Sequence, residues 1–420
     1  MKTSNNAYYA FCLLFLLYMF DYIDRLIVVS LFPFLQKEWG LSDTECGLLV
    51  SAVYWSILLF SFPVSIIVDR WSRKKAIGIM AILWSIATLL CVFTKNFKQL
   101  FGTRIAIGIG EAGYAPGGTA LISALFPLEK RAGILGIWNA SIPLGSAMGI
   151  ALGGIIAEHL GWRHAFGIVA LPGFVLALMF FKVKDYKTVA LMRTGGHEPG
   201  ETPASMSFMD IVRVFLSKKS LLLNNLAFAS NVFVTTALLS WMPTYFHRMQ
   251  DIPMDKAGVK GGLIMFLAII GAPLGGFLSD RWMKYTPRAR MLLPAASSAF
   301  SAMILFIAFE YMEGDRQYAA LLCLGVAIIL FLPAAVSVTQ DVVHPGLRAI
   351  SLSINIVIQH LLGSSLGPLF VGMMSDRFDL AVALKTLPVF CLIGAVLFFI
   401  GSFFYETDAA SVDQVSLIME

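Results

Sequence analysis

Residues 276 to 284 read Gly276-Phe277-Leu278-Ser279-Asp280-Arg281-Trp282-Met283-Lys284, and residues 65 to 75 read Ser65-Ile66-Ile67-Val68-Asp69-Arg70-Trp71-Ser72-Arg73-Lys74-Lys75. Each stretch closes a long apolar run and sets Asp-Arg-Trp ahead of further bases. Two more pairs recur at nearly the same spacing. Leu144-Gly145-Ser146-Ala147-Met148-Gly149 is echoed by Leu362-Gly363-Ser364-Ser365-Leu366-Gly367, and Arg131-Ala132 by Arg348-Ala349. The three offsets are about 211 to 218 residues in a chain of 420, so the second half repeats the first in the same direction.

The chain is 58% hydrophobic and 14% charged, a balance that a water-soluble chain of this size does not tolerate. A membrane span needs roughly 20 apolar residues, and reading for such runs predicts about twelve helices. They fall near 10–33, 47–67, 76–94, 99–124, 133–158, 165–182, 221–246, 258–278, 291–311, 316–338, 349–373 and 383–404. The first run is too long for a cleaved signal peptide, carries acids at its centre and lacks a small-residue cleavage site after it. The expected fold class is therefore an all-α membrane protein of twelve transmembrane helices in two six-helix repeats. Its expected divisions are an N-terminal half over 1–182, a cytoplasmic linker over 183–219 with a short surface helix around 208–218, and a C-terminal half over 220–420.

Lys and Arg gather in alternate loops, after runs two, four, six and eight, with roughly two-thirds of the basic residues on one face. The positive-inside rule places that face, and both termini, in the cytoplasm. Topology thus accounts for the net charge of +5, and no nucleic-acid partner is expected. The five cysteines lie singly and the histidines are dispersed, so neither a metal site nor a cofactor is expected. Short loops point to a bacterial inner membrane.

Charge inside the spans marks the candidate site. Run one carries Asp21, Asp24 and Arg25, and run four carries Arg104 and Glu111 beside Gly108 and Gly110. An ionised group near the bilayer centre costs on the order of 3 kcal/mol on insertion scales, so such groups face a bundle interior and mark an ion or substrate path. Arg104 and Glu111, seven residues apart, share a helix face. The glycines allow another helix close approach. Run one rises outward and run four descends, so the depths of the two charged sets overlap. Asp24, Glu111 and Asp21 are the expected proton-titrating groups, with Arg104 pairing with the acids in alternation with an anionic substrate. A static buried ion pair that fixes packing is the alternative for these charges. Arg25 lies about 100° around the helix from Asp24 and faces either the cavity or a neighbouring helix.

The second half carries amides in place of buried charge: Asn231, Gln340 and Gln359 with His360 are the expected substrate-facing residues there. A cavity with one charged and one amide-lined, aromatic-rich wall suits an amphiphile with an anionic head. Asp69, Arg70, Arg73, Arg131, Asp280, Arg281 and Arg348 are expected to form a cytoplasmic gate that holds the outward-open state.

The loop after run two resembles the signature of the major facilitator superfamily, Gly-x-x-x-Asp-Arg-x-Gly-x-Arg-Lys, with Ser65 and Ser72 in the glycine positions. Asp21-Tyr22-Ile23-Asp24-Arg25, Thr103-Arg104 with Gly108-Ile109-Gly110-Glu111-Ala112, Ile142-Pro143-Leu144-Gly145-Ser146, and His360-Leu361-Leu362-Gly363 with Ser375-Asp376-Arg377 resemble its Spinster branch. Several of these pieces are shared with the related anion:cation symporters that carry sugar acids. Position 21 departs from the branch, which more often has Asn before Tyr-Leu-Asp-Arg. The resemblance implies a proton-linked or facilitative carrier of lysophospholipids, sphingoid phosphates and similar amphiphiles; alternating access by a monomer among membrane lipids is expected. A proton symporter of small organic acids or sugar acids is the alternative within carriers. An intramembrane enzyme is the rival from another class, but the sequence has neither a paired-Asp motif nor His-Glu-x-x-His, and no phosphate-binding Gly-x-x-x-x-Gly-Lys-Ser/Thr loop for ATP-driven transport.

Overall fold

The computed structural model describes residues 5–70, 72–183, 215–344 and 347–412. Most of the expected linker and its surface helix fall outside them. The first set of helices comprises α1 (Asn5–Leu26), a 3-10 segment (Ile27–Leu31), α2 (Phe32–Trp39), α3 (Asp43–Arg70), α4 (Arg73–Cys91), α5 (Phe97–Glu111), α6 (Tyr114–Leu125), α7 (Leu128–Asn139), α8 (Ser141–Leu160) and α9 (Trp162–Phe180). The second comprises α10 (Lys219–Gln250), α11 (Met254–Phe266), α12 (Ala268–Met283), α13 (Ala289–Glu310), α14 (Gly314–Ala327), α15 (Leu332–Asp341), α16 (Arg348–Ile358), a π-turn (Gln359–Ser364), α17 (Leu366–Arg377), α18 (Leu380–Lys385) and α19 (Leu387–Ala410).

Joined across their short breaks, the described helices give ten stretches long and apolar enough to cross a membrane. The two expected runs missing from the ten are 10–33 and 99–124, the two that carry the buried charges. Both are expected to be continuous, and both are broken in the structure. A proline, which has no N–H for the carbonyl four residues back, lies close to each break, although Pro63, Pro172, Pro243, Pro273 and Pro294 sit inside unbroken helices. Pro33 orphans Val29 within the 3-10 segment, Pro116 orphans Ala112 between α5 and α6, and Pro143 orphans Asn139 at the end of α7. The tenth and eleventh runs are also interrupted close to Pro333 and Pro368, and there Ile329 accepts instead from the Leu332 N–H at 3.1 Å.

The two sets meet along three seams: α8 against α11, α3 against α17 and the π-turn, and the 3-10 segment against α10. Within the first set, Gly108 and Gly110 allow the close approach expected of them. A Cβ on Gly108 would enter the turn around Val53 and Ser56 of α3, and one on Gly110 would stand 2.8 Å from the backbone nitrogen of Trp84 on α4. Apolar side chains such as Leu171, Phe277, Phe306 and Val389 stand exposed on the outside of the bundle, as a lipid-facing surface requires.

Candidate functional site

The break at the end of α1 organises the charged wall. Where the helix passes into its 3-10 segment, the last carbonyls of α1 lose their regular donors. Arg104, fully buried on α5, supplies substitutes. Its Nη1 donates to the Asp24 carbonyl at 2.9 Å, its Nη2 to the Arg25 carbonyl at 2.5 Å and its Nε to the Leu49 carbonyl of α3 at 3.2 Å. This corrects the expectation that Arg104 pairs with the acids: the guanidinium clamps three backbone carbonyls where α1, α3 and α5 meet.

The ion-pairing arginine is Arg25. Its Nη2 lies 2.8 Å from Asp21 Oδ2 and 2.9 Å from Glu111 Oε2, and its Nε donates to the same Glu111 oxygen at 3.1 Å. Asp21 and Arg25 are one helical turn apart, so they share a face. Glu111 is the last residue of α5 and meets them across the helix contact. The guanidinium packs 4.5 Å from the Tyr22 ring centroid and 5.6 Å from that of Tyr54, and aromatic faces favour a cation there. Arg25 therefore faces the shared interior rather than an unrelated helix.

Asp24 stands apart from this pair. It is completely buried beside Thr88 of α4, and among the described residues neither carboxylate oxygen, nor Thr88 Oγ1, nor Glu111 Oε1 has a partner within hydrogen-bonding distance. The wall thus holds three carboxylates, Asp21, Asp24 and Glu111, against two guanidiniums, Arg25 and Arg104. With all five ionised it carries one excess negative charge, which a single proton cancels.

The opposite wall is built on α10, α16 and the π-turn. Gln359 Nε2 donates to Asn355 Oδ1, and Asn355 Nδ2 donates to Asn225 Oδ1 at 2.8 Å. This chain ties a half-buried amide to two buried ones. The next residue, His360, stacks on Tyr54 with ring centroids 5.6 Å apart. Tyr54 therefore touches both walls, with Arg25 on one side and His360 on the other. The remaining two amides lie elsewhere. Asn231 is buried, donates to the Ala227 carbonyl at 3.0 Å and accepts from Ser298 at 3.0 Å, so it is spent on packing α10 against α13. Gln340 accepts through its carbonyl from Arg348 Nε at 3.3 Å. That places it at the start of α16, some eleven residues or ~16 Å along the helix direction from Gln359.

Of the expected gate residues, the side chains of Asp69, Arg70 and Arg73 lie outside the described residues. Arg131 donates to the Phe126 carbonyl at 3.4 Å, Asp280 pairs with Arg290 at 3.0 Å, Arg348 bonds Gln340 as above, and Arg281 is exposed. These contacts stay within their own helical sets. Asn225 and Asn355 are among the polar residues that the sequence places inside the second-half spans, whereas nothing in it singles out Tyr22, Tyr54 or Thr88. The helical phase of Tyr22 and Tyr54 relative to the charges was the only signal available, and it requires knowing which face looks inward.

The model of the Major Facilitator Superfamily matches residues 14–368. The chain is similar to the probable sphingolipid transporter spinster homolog 1 of Arabidopsis thaliana, 29% identical over 82% of this chain and 74% of that one. It is also similar to the hexuronate transporter of Bacillus subtilis (strain 168), 26% identical over 79% of each. Among solved structures it matches a bacterial homologue of the human lysosomal transporter Spinster, in an inward-facing and unoccupied conformation. That match has a TM-score of 0.84 and 24% identity, and covers 96% of this chain and 98% of that one.

Proposed function

This chain belongs to the Major Facilitator Superfamily, a family of transporters and not of enzymes, and we propose that it is a proton-coupled carrier of an amphiphilic, lipid-like organic anion, working by alternating access. The observation that carries the reading is Arg25 held between Asp21 and Glu111 beside the Tyr54–His360 ring pair. An anionic head group arriving between the walls competes for the Arg25 N–H donors. The carboxylate it displaces is left in a water-poor interior without its counter-ion, and it takes up a proton. Anion and proton then bind together, and both leave when the guanidinium returns. Proton and substrate therefore travel in the same direction. Asp24 serves as a second acceptor, since it can gain a proton without surrendering a hydrogen bond. Gln359 and His360 contact the head group from the second wall.

In this reading the chain divides at 1–182, 183–219 and 220–420, and the Arg281 end of the bundle is cytoplasmic, as are both termini. The carrier works as a monomer in a bacterial inner membrane. The Asp69, Arg70, Arg73, Arg131, Asp280, Arg281 and Arg348 cluster closes the cytoplasmic end when the opposite end opens. The amphiphilic substrate class is supported by the similarity to a probable sphingolipid transporter. The similarity to a hexuronate transporter favours a second reading, a sugar acid as the anion.

Flux into liposomes containing the purified protein, under an imposed pH gradient, tests the proposal across lysophospholipids, sphingoid phosphates, hexuronates and small monocarboxylates. Accelerated uptake of at least one amphiphilic anion is expected. Uptake of hexuronate alone would establish the second reading, and rates indifferent to the gradient for every compound would remove proton coupling. The second wall has its own check. Asn355→Leu cuts Gln359 from Asn225, and the loss of one positioned hydrogen bond is expected to raise the KM of uptake about tenfold with little change in maximal rate.

A further inference from the structure

Thr88 of α4 departs from the pattern of other threonines in the bundle. A threonine inside a helix ordinarily turns its hydroxyl back on a carbonyl of the preceding turn, as Thr103 does to Leu100 at 2.7 Å and Thr235 to Asn231 at 2.9 Å. The Thr88 hydroxyl is fully buried and, among the described residues, bonds no carbonyl. It lies beside the Asp24 carboxylate, whose two oxygens are equally buried and equally unpartnered. Trp84, Thr88 and Cys91 follow at steps of four and three residues, so one face of α4 looks into the junction of α1 and α5. α5 closes on that face through Gly110, against the Trp84 backbone, and through Thr103, which accepts from the Cys91 thiol at 3.2 Å.

Charge sharpens the point. The ionisable groups around Asp24 are Asp21 and Arg25 on its own helix, Arg104 and Glu111 on α5, and Cys91 on α4. The parts of α3, α8 and α9 at this depth carry no charge. Arg25 is engaged by Asp21 and Glu111, and the Arg104 hydrogen bonds all go to backbone carbonyls. A hydrogen bond from Thr88 would serve one Asp24 oxygen and leave its charge in place. A carboxylate so deep needs either a proton or a positive partner, and among the described residues no cationic side chain bonds it.

We propose that Asp24 and Thr88 form a sodium site, in which both carboxylate oxygens and the threonine hydroxyl bind the ion and water completes its shell. Carboxylate and hydroxyl oxygens suit hard cations rather than copper or zinc. The charged wall carries one negative charge in excess, so a monovalent ion neutralises it. A divalent ion would leave a net positive charge beside the buried Arg104 guanidinium. Ion and proton share one carboxylate, so each displaces the other. The site rests on the proposed function only in that shared carboxylate, and its test needs neither substrate nor transport, so the two fail separately.

The test is equilibrium binding of radiolabelled sodium to the purified full-length protein, with choline replacing sodium at constant ionic strength. At mildly alkaline pH one saturable ion per chain is expected, and its half-saturating concentration rises toward about tenfold per pH unit on acidification, as one-for-one competition requires. Asp24→Asn abolishes the binding, Thr88→Val weakens it at least about tenfold, and Thr88→Ser restores it. Asp24→Asn removes an uncompensated buried charge, so it folds at least as well as its parent. A sodium-dependent rise in the thermal midpoint, present in the parent and absent from Asp24→Asn, is the second measure if Thr88→Val lowers the yield. No saturable binding in the folded, monodisperse parent would overturn the site, as would binding that survives Asp24→Asn or ignores pH. Equal weakening by Thr88→Ser and Thr88→Val would remove the hydroxyl from the ligands.

Discussion

Glu111→Gln lowers pH-gradient-driven uptake by about a hundredfold, the factor expected when one partner of a buried, hydrogen-bonded charge pair loses its charge. Gln has the shape of Glu and keeps an oxygen for the Arg25 Nε, so helix contact between α1 and α5 survives. What disappears is the group that exchanges a guanidinium for a proton. Arg25 is left with Asp21 alone, and an arriving anion no longer frees a carboxylate at α5. Substrate exchange without a pH gradient, measured as counterflow, should survive far better than net uptake. Equal loss of both in a well-folded protein would assign Glu111 to binding rather than coupling.

Arg104→Gln has a different signature. It removes a guanidinium that satisfies three buried carbonyls, and leaving such acceptors unpaired costs about 3 to 5 kcal/mol in total. The expected result is a large fall in the thermal midpoint and in monodisperse yield from detergent, before any question of transport. Arg104→Lys rescues little, because one ammonium cannot reproduce a planar fork aimed at three carbonyls. An Arg104→Gln protein that melts like its parent yet fails to transport would restore the arginine to the role of a moving counter-ion.

The contrast between these two arginines shows what the sequence could and could not supply. Span number and the repeat were legible because hydropathy and the Asp69 and Asp280 motifs are local, and because twenty apolar residues have few fates. That charge in runs one and four meets was legible from depth alone. Which arginine meets which acid was not, since it depends on helix rotation: Arg25 lies about 100° from Asp24, and the sequence left its face open. The partners of Arg104 lie where α1 passes into a 3-10 segment after Leu26, a change of helix type that hydropathy does not encode. Gln340 sits some eleven residues from Gln359 along the helix direction, a depth that the residue type alone does not encode.

The most direct measurement follows protons and substrate together. Liposomes carrying the protein and an internal pH-sensitive dye are given an inward gradient of the transported anion, with no initial pH difference and with membrane potential clamped. The account predicts acidification inside that rises with anion entry, in a fixed ratio, and that vanishes in Glu111→Gln while residual anion entry persists. Anion entry with no change of internal pH, or with alkalinisation, would contradict it.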